Sequence, residues 1–236
     1  MWEFLFLYFL SFWTFASIYI IFKSIKVEQI QVRNKTVQNL ANTTITFIKG
    51  LPAIIATFLA LIMRSNDSLF FLFLVGAFFF CFAGDIGMEK DILIGLSLFL
   101  VAQMLFSIAF LSQAFTIGPS VNVLFLVAFV VVGIFLYMFK FLQYLESSET
   151  GLGELKIPVL AYCVVISLMV VSSFLLWGAL ESFEAIVVVL GAGIFVISDS
   201  IIGVHEFHHK VSGSVSKVML TYYTAIFLLS LSVLLF

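Results

Sequence analysis

SVNVLFLVAFVVVGIFLYMF, residues 120–139, contains no charged side chain in twenty consecutive positions. Coiled as a helix at about 1.5 Å per residue, it is about 30 Å long, the thickness of a bilayer's hydrocarbon core. In lipid a backbone must satisfy its own N–H and C=O groups, so a run of this kind reads as a spanning helix. Seven further stretches qualify on either side of it, at approximately 4–22, 45–63, 69–87, 92–111, 156–177, 185–204 and 215–236. Short polar connections such as 64–67, 89–91 and 181–184 separate them, with two longer ones at 23–44 and 140–155. No connection is long enough to divide the chain. The expected fold is therefore all-α, a polytopic membrane bundle of about eight transmembrane helices forming one domain over residues 1–236.

Composition supports that class. The chain is 63% hydrophobic and 10% charged, with mean hydropathy +1.24, whereas soluble domains carry about 25% charged residues. A net charge of -2 gives no basic field for nucleic acid, which is set aside as a partner. The two cysteines, Cys81 and Cys163, lie inside apolar runs and read as free thiols within packed helices. The first run follows Glu3 and shows no small-residue cleavage pattern before Lys23, so it reads as a retained helix.

Basic residues set the expected orientation, because cytoplasmic loops carry the excess of Lys and Arg. Lys23, Lys26, Arg33, Lys35, Lys90, Lys140, Lys156, Lys210 and Lys217 follow odd-numbered helices; only Arg64 lies in the opposite set of loops. Both termini are thus expected outside the cytoplasm. With no organelle or lipidation signal, the default location is the plasma membrane of a bacterium.

An ionisable side chain at mid-span costs about 2.5–3.5 kcal/mol or more, so such residues face a bundle interior or a wet cavity. Here they are Lys49, Asp85 and Asp199, with Gln103 and Tyr162 as uncharged companions. Counting along their helices places Asp85 and Asp199 roughly 24 Å and 21 Å below the outer surface, in the inner part of the membrane. Lys49 and Tyr162 reach a similar level from the opposite side; Gln103 is nearer the middle. Gly191, Ala192 and Phe195 share the face of Asp199, and small residues there let a neighbouring helix approach. Blander readings stay open: Asp85 as the mark of a helix end, Lys49 snorkelling to phosphates, Tyr162 as an interfacial aromatic, Gln103 as a helix-to-helix hydrogen-bonding residue.

His205, His208 and His209 form H-x-x-H-H at the end of the seventh run, and with Glu206 or Asp199 offer metal-ligand types on one helix face. Such residues also suit a helix end beside headgroups. No metal and no cofactor is assigned from this spacing. Phosphate-loop, nucleophile-elbow, zincin and dinucleotide motifs are absent from the sequence.

Five segments together carry a resemblance: KGLP at 49–52, FAGDIGM at 82–88, GLSLFLVAQMLF at 95–106, IPVLAYCVVISLM at 157–169 and GAGIFVISDSII at 191–202. Their order and content resemble the lysoplasmalogenases, the YhhN-like family of membrane proteins, over nearly the whole chain. One departure stands out. Where that family usually has a histidine in its fourth helix, in a Phe-x-x-x-His-x-x-Tyr-like setting, this chain has Gln103 and Phe106.

The resemblance implies hydrolysis of the vinyl-ether bond of a lysoplasmalogen, a lysophospholipid substrate drawn from membrane lipid. The products would be a fatty aldehyde and a glycerophospho-headgroup. Vinyl ethers are cleaved by proton delivery to the enol carbon, which gives an oxocarbenium-like cation that water captures. Paired carboxyls serve both halves, as in glycoside hydrolysis. Asp85 and Asp199 are the expected catalytic pair, one donating the proton and the other stabilising the cation and orienting water. Lys49, Tyr162, Gln103 and Ser198 are the expected substrate-binding groups. Rival readings are a proton-coupled transporter, a metal-dependent lipid hydrolase built on the histidines, and a purely structural role.

Overall fold

A computed structural model describes residues 2–24, 35–63, 69–148 and 151–236. Among them lie eight α-helices and no strand: α1 (Trp2–Ser24), α2 (Lys35–Ile62), α3 (Leu69–Met88), α4 (Ile92–Ile117), α5 (Val121–Glu146), α6 (Lys156–Leu180), α7 (Ile186–Phe207) and α8 (Ser214–Ser230). Short 3-10 turns at Gly153–Leu155 and Leu231–Leu235 precede α6 and follow α8. All eight are long and apolar enough to cross a membrane. The chain is an integral, multi-pass helical bundle.

Local chemistry sets the helix ends. Asp91 caps α4, its side chain accepting from the N–H of Leu93 at 2.7 Å and of Ile94 at 3.3 Å. Gly118 ends the same helix at φ 87, a left-handed conformation that costs glycine nothing, and Pro119 cannot continue it. Pro158 lies in the first turn of α6, where its missing N–H has no helical partner to lose.

Two helices outrun their apolar stretches. Residues 35–44 and 140–146, read from sequence as connections, are helical. A hydrophobic run measures the hydrocarbon thickness, whereas a helix made of Lys, Gln and Glu turns continues into the headgroup layer at little cost. Of the orientation markers, Lys26, Arg33 and Arg64 lie outside the described residues, as does the side chain of Lys35.

Seven helices close a ring. α1 packs on α2, α2 on α3, α3 on α4, α4 on α6, α6 on α7, α7 on α8, and α8 returns to α1. α5 stands outside, against α6 and α7, with most of its surface exposed. Successive helices alternate in direction, so α4 and α6 run parallel across the place α5 vacates; every other seam of the ring is antiparallel.

Small residues bring the ring's members together. A methyl group at Gly191 of α7 would stand 2.9 Å from Leu229 Cγ and 3.0 Å from its backbone nitrogen on α8. One at Gly95 of α4 would stand 2.7 Å from the backbone nitrogen of Met88 on α3. Without a hydrophobic force between helices in lipid, such close van der Waals contact carries much of the association. The core of Phe12, Phe70, Phe78, Phe106, Phe110 and Phe195 is fully buried, and both cysteines are free and buried. Aromatic edges meet faces through it, as between Phe78 and Phe106 at 5.1 Å.

Candidate functional site

The polar residues at membrane depth converge at the end of the ring where the odd-numbered helices finish and the even-numbered ones begin. Asp199 of α7 is at the centre. Its Oδ2 accepts hydrogen bonds from Tyr162 Oη of α6 at 2.5 Å and from Gln103 Nε2 of α4 at 2.9 Å. Gln103 also donates to the Tyr162 oxygen at 2.8 Å, closing a three-membered network across three helices. Gln103 is fully buried and its Oε1 has no protein partner. The expectation that it bonds between helices therefore holds, with Asp199 and Tyr162 as the partners.

Asp85 of α3 lies across the ring. It is 1% exposed; Tyr222 Oη of α8 donates to its Oδ2 at 2.9 Å, while Oδ1 is buried with no partner. Phe99 of α4 and Phe195 of α7 pack edge-on against the Tyr222 ring, at 5.6 Å and 5.8 Å between centroids. That packing fixes the phenol under the carboxyl.

Lys49 takes a partner the sequence reading did not give it. Its Nζ lies 3.1 Å from Glu89 Oε1, and Lys23 Nζ lies 3.6 Å from Glu89 Oε2, so two ammonium groups share one carboxylate. Tyr19 donates to Glu89 at 3.3 Å, and Tyr223 donates to the Lys49 carbonyl at 2.9 Å. Burial pushes the Glu89 carboxyl up, but the ammoniums of Lys49 and Lys23 and their hydrogen-bonding companions outweigh it and hold Glu89 below its ordinary value. Ser198 is fully buried and spends its hydroxyl on the Val218 carbonyl at 3.3 Å.

Two cavities meet at Asp199. The first, about 240 Å³, lies inside the ring and is the more polar of the two, bounded by Lys23, Lys49, Asp85, Glu89, His205 and Tyr222 among others, with Ser198 also on its wall. The second, about 170 Å³, lies between α4, α6 and α7 with α5 as its outer wall, and is apolar. Asp199 and Ile202 line both. Asp85 and Asp199 thus share the wall of the polar cavity, and Asp199 also faces the apolar one.

Tyr222, Glu89 and Tyr19 escaped the sequence reading. It searched for charges inside spans, and Glu89 sits one residue beyond α3. The adjacent Tyr222 and Tyr223 in an apolar run were the available signal for α8.

The histidines do other work. His205 Nδ1 accepts from the Val211 N–H at 2.9 Å, and the His208 ring stacks on Tyr144 with centroids 4.1 Å apart. His208 and His209 meet through their Nδ1 atoms at 3.0 Å. Among the described residues no three of His, Cys, Asp and Glu converge as a metal set.

Comparison with known families gives a match to the model of the YhhN family over residues 44–233, which takes in α3 to α8 and most of α2. No curated protein and no solved structure matches the chain.

Proposed function

This chain belongs to the YhhN family, and from that premise we propose that it hydrolyses the vinyl-ether bond of lysoplasmalogens. The observation that carries the reading is the placement of Asp85 and Asp199, from helices remote in sequence, on one cavity wall where polar and apolar spaces join. A vinyl ether is an uncharged bond between a hydrocarbon chain and a phosphate-bearing headgroup, and that junction is the matching environment.

In the proposed mechanism Asp85 delivers a proton to the enol carbon on the chain side. The neighbouring carbon becomes the oxocarbenium-like centre, and Asp199 stabilises it and orients the attacking water. Oδ2 of Asp199 accepts two hydrogen bonds, as a carboxylate does, whereas Asp85 accepts one and leaves Oδ1 free for a proton. Water adds to the cation and gives a proton to Asp199, forming a hemiacetal. In its collapse Asp199 returns that proton to the leaving headgroup oxygen while Asp85 takes the hydroxyl proton, so the aldehyde and the headgroup alcohol are released and the starting acid and carboxylate are restored. Tyr162 and Gln103 hold Asp199 in place. The Gln103 amide cannot exchange a proton as a histidine does, so proton traffic in this chain runs through the acids and water.

The site end carries Lys23, Lys90, Lys140, Lys156, Lys210 and Lys217 in or beside its connections. By the positive-inside rule it faces the cytoplasm of a bacterial plasma membrane, with both termini on the other side. A reporter fused after Phe236 checks this and should signal outside.

The direct test is incubation of purified protein with a lysoplasmalogen and with its ester-linked analogue. Aldehyde from the first and no fatty acid from the second is the expected result. Absence of aldehyde from folded protein would sink the reading and favour transport.

A further inference from the structure

The H-x-x-H-H run at the end of α7 has no part in the proposed chemistry, yet its rings are held by contacts that need neutral imidazoles. His205 Nδ1 accepts from the Val211 N–H at 2.9 Å, and a ring nitrogen accepts only while it carries no proton. The proton of neutral His205 therefore sits on Nε2, which faces Glu206 Oε1 at 3.8 Å. His208 and His209 meet Nδ1 to Nδ1 at 3.0 Å, a contact that needs one donor and one acceptor. Ser147 Oγ gives its own proton to the Tyr144 carbonyl at 2.7 Å and turns a lone pair toward His208 Nε2 at 3.5 Å. His208 thus carries its proton on Nε2, and its Nδ1 accepts from His209.

These contacts close the connection between α7 and α8. Val211, whose N–H goes to His205, takes the Ser214 N–H on its carbonyl at 3.2 Å, and Ser214 starts α8. His205 and Glu206 at one end of the connection and Ser214 and Val215 at the other line the polar cavity. The turn that His205 holds therefore spans the cavity's rim. A proton on Nδ1 turns that nitrogen from acceptor to donor and sets it against the Val211 N–H; a further proton on the His208–His209 pair sets two donors against each other. Imidazole is the side chain whose charge ordinarily changes between about pH 5 and 8.

The surrounding charges give the protonated rings somewhere to turn. Glu206 is the carboxylate beside His205, shared with Lys210 at 3.7 Å. Across the cavity, Lys23 of α1 and Lys49 of α2 are matched by Glu89, which leaves Asp85 of α3 and Asp199 of α7 as the acids and Tyr19 and Tyr222 as the phenols on its wall. From α5, Tyr144 stacks on His208, while Glu146 is paired with Lys156 of α6 at 3.2 Å. Lys217 of α8 is exposed.

We propose that His205, with the His208–His209 pair beside it, is a proton-released latch. Neutral, it fastens the α7–α8 connection across the rim of the polar cavity; protonated, it frees that connection and opens the cavity to the aqueous side on which it lies. The latch goes beyond the hydrolase reading and does not depend on it.

The test is amide hydrogen exchange of the full-length protein in lipid nanodiscs at about pH 8 and about pH 5, the two ends of the imidazole range. Rates are taken relative to an unfolded peptide of the same sequence at each pH, and fragmentation assigns them to single residues. In wild type, protection of the Val211 amide should fall about five- to tenfold at the lower pH, with Ser214 following it. His205→Asn keeps an acceptor near the place of Nδ1 and does not titrate, so Val211 should stay protected at both. His205→Ala should leave it unprotected at both. Equal protection of the wild type at the two pH values, or the wild-type fall reproduced in His205→Asn, would overturn the latch. Aldehyde release is scored apart. A fall in protection without aldehyde keeps the latch and removes the hydrolase reading; aldehyde with unchanged protection does the reverse.

Discussion

Gln103 and Asp199, ninety-six positions apart in the chain, meet at 2.9 Å through the Gln103 amide and the Asp199 carboxyl. Tyr162 donates to the same oxygen, so the acid at the cavity junction is held by two neutral donors from two other helices. Gln103→Leu removes one donor and Tyr162→Phe the other, each worth about 1–3 kcal/mol to a charged group. Aldehyde release should fall about 10- to 100-fold in kcat in either variant, with KM nearly unchanged. The two losses should not add, since both donors serve one atom. A change confined to KM would move these residues from positioning Asp199 to binding lipid.

The acids themselves give a sharper outcome. Asp85→Asn and Asp199→Asn should each abolish aldehyde release while leaving the bundle folded. In deuterated water the wild-type aldehyde should carry one deuterium on the carbon next to the carbonyl, because that carbon takes its proton from the site. Aldehyde without deuterium at that position would rule out protonation of the enol carbon.

Glu89 joins two cations to the cavity mouth, and Lys49 is 5% exposed. Glu89→Gln removes that ammonium's ion-pair partner and should cost about 2–3 kcal/mol, less than a fully dry pair because water reaches Glu89. Lys49→Met with Glu89→Gln should recover part of the loss. Glu89 is held below its ordinary value of 4.5 by Lys49 and Lys23, so the native state favours its charged form. The stabilisation is fully present above pH 4.5 and disappears as pH falls through the depressed value. Thermal unfolding against pH should show that loss in wild type and not in Glu89→Gln.

Gly191 and Gly193 lie two residues apart on α7 and should answer substitution oppositely. A methyl at Gly191 meets the Leu229 backbone nitrogen at 3.0 Å, whereas one at Gly193 meets nothing within 4 Å. Gly191→Ala should destabilise the bundle by forcing α7 from α8. Gly193→Ala should be neutral or stabilise by about 0.5–1 kcal/mol through helix propensity. Denaturation midpoints in detergent check both.

The eight spans were readable because hydrocarbon thickness imposes a length on apolar runs, and the two aspartates because a charge inside a span is costly enough to stand out. The depth count placed Asp85, Lys49, Tyr162 and Asp199 at one level, and the structure brings them to one end of the ring. What sequence could not supply was azimuth. Nothing in one helix's order of residues says that Tyr222 of α8 points at Asp85, or that Lys49 turns to Glu89 rather than to an aspartate. Those choices depend on which helices are neighbours, and the α4–α6 contact, skipping α5, is not a sequential one.

That displaced helix has a mechanical consequence. α5 forms the outer wall of the apolar cavity through Met138, Phe141 and Leu145, and its hydrogen bond to the ring from Tyr137 to Ser200 is 2.8 Å long. Because α5 is not a link in the closed circuit of seven, the seams that hold the two acids are made without it. A change that loosens this outer stave would widen the greasy space behind it and leave the hoop that carries the acids intact.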